Sequence, residues 1–180
     1  MSVIKSTRRY TPEYLLTMPE GKHYELVNGE LVETTTDARA SWTASVLAQL
    51  LLNFVVPRRL GWVFNAELGY QCFGDDAAKV RRPDVSFVPM GRFPGEQPPE
   101  GHLRFPPDLA AESVSPGDTY YEVERKCGDY LKAGVRLVWI LNPDTRTVRV
   151  LRPDRPAREL REAESLSGED VLPGFSCPVA

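Results

Sequence analysis

The chain has 180 residues, of which 42% are hydrophobic and 26% charged, the size and balance of one ordinary globular domain. This composition excludes a collagen-like or low-complexity chain and argues against wholesale disorder. With 22 basic and 25 acidic residues the formal charge is −3, so any nucleic-acid contact must come from a local basic patch rather than from the chain as a whole.

From the N-terminus, residues 1–22 read as a lead-in, irregular over 1–10, with a short helix opened by Thr11 as N-cap and Pro12 at the first helical position. Tyr24 to Glu33 is a hairpin, with Asn28-Gly29 between two short apolar runs calling for a type I′ turn. From Ala40 to Val56 the apolar positions Val46, Leu47, Leu50, Leu51, Phe54 and Val55 share one helical face, and Pro57 and Gly61 end it. Gly61 to Phe73 alternates apolar and polar, which predicts a strand, and Val80 to Val88 predicts the next. The Pro- and Gly-rich stretch 89–107 is a surface loop. Leu109–Val114 is a short strand, Tyr121–Ala133 a helix closed by Gly134, Val135–Leu141 a strand buried on both faces, and Thr147–Leu151 a further strand. The tail over 152–180 is Pro-rich and reads as partly irregular. The expected fold class is α/β, a mixed sheet flanked by helices, in a single domain over 1–180.

Three widely spaced cysteines (Cys72, Cys127, Cys177) and two histidines (His23, His102) offer no closed zinc site and no disulfide framework. Without an apolar leader in Met1–Tyr10, and with apolar runs shorter than a bilayer span, the expectation is a cytoplasmic protein with no membrane segment.

Two acids stand out. Asp84 opens the Val85–Val88 run, and Glu112 lies within the apolar run Leu109–Val114. A carboxylate in an apolar strand is costly to desolvate unless it is paired or binds a metal. Two on successive strands suit one Mg²⁺ or Mn²⁺, with the Ser113 carbonyl as a further oxygen ligand. The plainer reading pairs each acid with Arg81, Arg82 or Arg104, and spacing alone leaves both open. Arg81 and Arg82 are candidate phosphate contacts, or partners of Asp75 or Asp76.

Five short pieces in order are Tyr24-Glu25-Leu-Val-Asn-Gly-Glu30, Arg82-Pro83-Asp84-Val85, Pro107 to Pro116 around Glu112, Lys126 with Tyr130 to Val135, and Trp139 to Pro143. This series resembles the Uma2 family, placed in the PD-(D/E)XK nuclease superfamily with a restriction-endonuclease-like fold, over about residues 10–178. The resemblance implies that Asp84 is the acid of the Pro-Asp motif and Glu112 the acid of the second half. The position two after Glu112 is Val114 instead of Lys, and the resemblance implies that Lys126 supplies the lysine from the following helix and that Glu25 completes the site. Many relatives carry a His at the start of the second helix; here Ala40-Ser41-Trp42-Thr43 has none. From the residues alone Lys126 also reads as a solvated lysine paired with Glu122.

The function implied is Mg²⁺-dependent hydrolysis of DNA phosphodiester bonds, with Asp84, Glu112, Lys126 and Glu25 as catalytic residues and a homodimer suited to cutting two strands. The alternative is a catalytically inactive nuclease-like scaffold that binds nucleic acid or a protein partner. A carboxylate-pair hydrolase of another class, such as a glycosidase, is a third reading, for which no sugar cleft is legible.

Overall fold

The computed structural model describes residues 9–34 and 37–179. Of the irregular lead-in expected over 1–10, all but Arg9 and Tyr10 lie outside the described residues.

Local chemistry sets the first elements. Thr11 caps helix α1 (Pro12–Thr17) by accepting from Tyr14 N–H. Strands β1 (Tyr24–Val27) and β2 (Glu30–Glu33) pair antiparallel. Asn28 (φ 52°) and Gly29 (φ 76°) are both left-handed, as a type I′ turn requires. Helix α2 (Ala38–Arg58) is capped by Asp37, and its Leu47, Leu51 and Val55, spaced by four, are buried.

The centre is a six-stranded sheet of β3 (Gly61–Asn65), β4 (Val85–Pro89), β5 (Leu109–Ser113), β6 (Leu137–Asn142), β7 (Thr147–Arg152) and β8 (Arg155–Arg161), in that spatial order. Every neighbouring pair is antiparallel except β5 and β6. That parallel pair needs a crossover, and helix α3 (Tyr120–Ala133) supplies it. A separate pair, β9 (Ser165–Ser167) with β10 (Ser176–Pro178), follows. Alternation divides the core between the two faces of the sheet. Leu109, Ala111, Leu137 and Trp139 pack with α2, while Ala110, Val138 and Ile140 pack with Cys127 and Tyr130 of α3. All three cysteines are free thiols.

Three expectations change. The strand expected over Gly61–Phe73 stops at Asn65, and Tyr70 makes only isolated bridges to Arg81 and Leu103. Its alternation reflects burial, with the Tyr70 hydroxyl 2.7 Å from Ser86 Oγ. The strand expected from Val80 begins at Val85, because Pro83 has no N–H to donate and Val80 and Arg81 bridge Leu26 and Tyr70 instead. The tail is more regular than expected. It forms β8, β9 and β10, and β8 shows no apolar alternation because it is a charged edge strand with only Leu160 buried.

Helix α2 also departs from the expectation of no span-length segment. Its uncharged Ser, Thr, Gln and Asn residues join separate apolar runs into 21 residues, long and apolar enough by length and composition to cross a membrane. Its inner face lies on the sheet, and its outer face carries exposed Trp42, Leu52 and Val56.

Two stability predictions follow from close approaches. A Cβ on Gly61 would stand 2.2 Å from the Val88 carbonyl oxygen, whereas one on Gly74 would meet nothing within 4 Å. Urea unfolding should show Gly61→Ala destabilised by about 1–3 kcal/mol, with Gly74→Ala within about 0.5 kcal/mol of the parent. The His102 ring lies against Gly69, with Nε2 3.3 Å from the Pro12 carbonyl. Burial, reinforced by Arg82, lowers its pKa from 6.5 to about 4. Between those values the unfolded chain binds a proton that the folded chain refuses, so stability present above 6.5 is lost as pH falls toward 4. Urea midpoints measured across that interval should fall with pH in the parent and fall less in His102→Gln.

Candidate active site

The β1–β2 hairpin docks by exchanging backbone hydrogen bonds between Leu26 and Val80, at 2.9 and 2.8 Å. This turns Glu25 inward, with no exposed surface. Glu25 Oε1 accepts from Arg82 N–H at 2.8 Å and lies 2.9 Å from Lys126 Nζ, and Oε2 accepts from Arg81 at 2.8 Å. Arg81 also donates through Nε and Nη2 to Asp129 Oδ2, at 2.9 and 2.6 Å. Lys79 donates to Asp129 Oδ1 at 3.0 Å.

Lys126 reaches this cluster from α3. Its ammonium donates to Glu112 Oε2 and the Arg82 carbonyl, each at 2.9 Å, and is ion-paired with Glu25 Oε1, also at 2.9 Å. The other Glu112 oxygen accepts from the Tyr130 hydroxyl at 2.7 Å. Two carboxylates balance the charge and a carbonyl adds a second hydrogen bond, which is the kind of compensation a buried ammonium requires. The alternative pairing of Lys126 with Glu122 is absent, because the Glu122 carboxylate closes the capping box with Thr119.

Asp84 joins from the sheet. β4 and β5 pair Val85 with Ala111 and Ser86 with Ala110. One step further in this register Asp84 falls opposite Glu112, at the roughly 5 Å Cβ separation of cross-strand neighbours. Its Oδ2 accepts from Ser113 N–H at 2.7 Å. Asp84, Glu112, Ser113 and Lys126 thus line one cleft of about 500 Å³. Its other walls are Lys22 and His23 ahead of β1, the small residues Ala40, Ser41, Ala44 and Ala48 of α2, and Glu67 and Asp118.

Burial dominates the electrostatics. It raises the Glu112 pKa to about 8 despite the opposing pull of Lys126, with Asp84 and Glu25 adding to the rise. Burial likewise raises Asp84, while Lys126 and the Ser113 N–H oppose it. Glu25 goes the other way: burial would raise it, but Lys126, Arg81 and the Arg82 N–H together hold it below the ordinary carboxylate value. Burial would lower Lys126, but Glu112, Glu25 and Asp84 keep it charged.

The donor set is that of a hard cation. Among the described residues no group of three or more His, Cys, Asp or Glu could hold a metal, so the protein side would be Asp84, Glu112 and the Ser113 carbonyl. Mg²⁺ needs only one or two carboxylates, with water and substrate phosphate filling its remaining positions. Ser113 Oγ is buried without a hydrogen-bond partner, so this wall holds an oxygen that a hydrated ion would satisfy. The residues present fit such an ion.

Of the residues expected at the site, Asp84, Glu112, Ser113 and Lys126 line the cleft, and Glu25 lies behind it, bonded to Lys126. Arg81 does not face the cleft. It is 2% exposed, and Glu25 and Asp129 take its guanidinium. Arg82 touches the cleft, but its guanidinium donates to the carbonyls of Tyr24, Glu67 and Gly21. Neither is available to a phosphate, because a desolvated guanidinium must first satisfy its own donors. Sequence reading missed Lys22 and His23, which do face the cleft, and no local pattern marks them.

A family model described as "Putative restriction endonuclease", Uma2, matches residues 11–180. The chain belongs to the Uma2 family. A crystal structure titled as that of a putative nuclease belonging to DUF820, from Anabaena variabilis ATCC 29413, is similar with a TM-score of 0.79 and 22% identity, covering 94% of each chain. That likeness establishes the shared fold. A search of curated proteins found no match. This Uma2 chain therefore has a nuclease-like architecture and belongs to a nuclease family. In it the Lys126 ammonium arrives beside Glu112 from α3.

The ion network predicts a stability asymmetry. Arg81→Leu leaves Glu25 and Asp129 buried without their shared cation and should cost about 3–5 kcal/mol. Lys22→Ala breaks only an exposed pair with Glu67 and should cost about 1 kcal/mol or less. Urea denaturation of the two variants checks the difference.

Proposed function

We propose that this chain is a divalent-cation-dependent endonuclease hydrolysing DNA phosphodiester bonds in the cleft at the ends of β4 and β5. One observation carries the reading. The sheet register sets Asp84 opposite Glu112, and both carboxylates share the cleft with the Lys126 ammonium. A phosphodiester gains negative charge as water attacks phosphorus, so the site must supply cations and acceptors held in place beforehand.

Asp84, Glu112 and the Ser113 carbonyl are the residues that would hold Mg²⁺ or Mn²⁺. When bound, the ion lowers the pKa of water and polarises the phosphoryl oxygen. Lys126 offsets charge on the phosphate from the position Glu112 and the Arg82 carbonyl give it. Glu25 holds Lys126 charged and oriented, and Tyr130 fixes the second oxygen of Glu112. Lys22 stands at the cleft wall where a backbone phosphate would pass. One cleft serves one strand, so cutting a duplex through both strands takes a second copy.

Supercoiled plasmid incubated with the protein and Mg²⁺ or Mn²⁺ should be nicked, and EDTA should stop the reaction. Asp84→Ala and Glu112→Ala should reduce cleavage to background. Lys126→Ala should slow it about 100- to 1,000-fold. Since Lys126 also supports buried Glu25, its variant is compared at a temperature where circular dichroism shows it folded. Wild-type protein that binds metal and DNA yet cuts no substrate would replace this reading with that of a nuclease-like binding scaffold.

A further inference from the structure

Hydrolysis of a phosphodiester must also place a proton on the departing oxygen, and the residues assigned above do not provide one. Lys126 donates to Glu112 and the Arg82 carbonyl and is ion-paired with Glu25, and its pairing with these acids holds it charged. Arg82 donates to three main-chain carbonyls. Lys22 pairs with Glu67 at 3.1 Å. Of the cleft-wall side chains not assigned to the ion, the phosphate or an internal acceptor, His23 is the one suited to donate a proton to the leaving oxygen.

His23 is built to act. Its main chain is pinned at both ends: its N–H donates to the Glu20 carbonyl at 2.8 Å, and its carbonyl accepts from Thr34 N–H at 2.8 Å and Thr34 Oγ1 at 2.9 Å. Its side chain stays 55% exposed, with Nδ1 3.2 Å from Glu20 Oε2. Glu20 sits in the left-handed region at φ 59°, a costly conformation for a residue other than glycine, and this turn brings its carboxylate to the ring. A carboxylate on Nδ1 orients the imidazole and leaves Nε2 as the working nitrogen. Among the described residues Nε2 has no partner.

We propose that His23 is the general acid of the cleft, with Glu20 as its positioning residue. The inference rests on the nuclease reading of the same site. In the step, a water oxygen bonds to phosphorus and the phosphorus–oxygen bond to the leaving alkoxide breaks. The alkoxide takes the Nε2 proton of the imidazolium and leaves as an alcohol. The attacking water releases one proton to solvent, and His23 regains one from solvent, so the net reaction is hydrolysis to a phosphomonoester and an alcohol.

The test compares two substrates in Mg²⁺: plasmid DNA, whose leaving alkoxide needs a proton, and bis(p-nitrophenyl) phosphate, whose phenolate leaves without one. His23→Ala should slow DNA cleavage about 100-fold or more while changing the p-nitrophenyl ester about threefold or less. Added imidazole should restore part of the lost DNA cleavage. Glu20→Gln should show a weaker form of the same selectivity. Because the His23 side chain is exposed, its melting temperature should match the parent. The assignment is overturned if His23→Ala cuts DNA at the parent rate, or if it loses both substrates equally and imidazole restores nothing. Wild-type protein inactive on both substrates would instead overturn the nuclease reading, and this inference with it.

Discussion

The burial of Lys126 organises this molecule. A lysine ammonium taken out of water is tolerated only when its charge is balanced and its N–H groups find polar partners. Here the partners come from three distant parts of the chain: an ion pair with Glu25 on the hairpin, and hydrogen bonds to the Arg82 carbonyl on the approach to β4 and to Glu112 on β5. The requirement pins the hairpin, the sheet and α3 to one another at a single point. Arg81 extends the arrangement to Asp129, and Lys79 extends it to Asp75 at the surface. Such a network contributes less to net stability than its number of ion pairs suggests, because desolvation offsets most of the attraction. Its structural consequence is specificity. Few other packings would satisfy all of these charges at once.

The sheet provides the second constraint. Antiparallel pairing of β4 and β5 sets Asp84 across from Glu112, and the parallel pairing of β5 with β6 obliges a helix to cross between them. That helix therefore passes over the same face that Glu112 uses. A lysine two turns in from its N-terminus meets the acid without lying near it in sequence. This crossing geometry is what brings the α3 ammonium beside Glu112.

The cleft is open because its α2 wall is made of small side chains. Ala40, Ser41, Ala44 and Ala48 give width where Leu47, Leu51 and Val55, on the adjoining face, fill the core. The basic side chains around the cleft divide in two. Arg81 and Arg82 are spent on internal acceptors, whereas Lys22 and His23 remain at the surface of the cleft. In a Uma2 chain with a net charge of −3, the proposed contact with a phosphate backbone would rest on these few exposed groups rather than on a general positive field.

Much of the architecture is legible in local patterns, because turn chemistry and side-chain period act over only a few residues. Asn28-Gly29 specifies its turn, Gly134 closes α3, and the continuous apolar run of β6 announces burial on both faces. Asp84 and Glu112 are legible too, since an acid inside an apolar strand is conspicuous wherever the strand ends up. The Gly61–Phe73 alternation misleads because burial of alternate residues, as at Tyr70, does not require a ladder. β8 escapes notice because a charged edge strand has no apolar period. The fate of the arginines was decided only by tertiary structure. Nothing near Arg81 indicates that a carboxylate 48 residues away, Asp129, takes its guanidinium. Nor does anything around His23 indicate a cleft, since that wall exists only once the hairpin has docked. The sequence by itself determined the elements and the pair of acids. The docking of hairpin, sheet and crossover helix decided which charges are sealed inside and which face the cleft, because partners for desolvated charges are found in space and not along the chain.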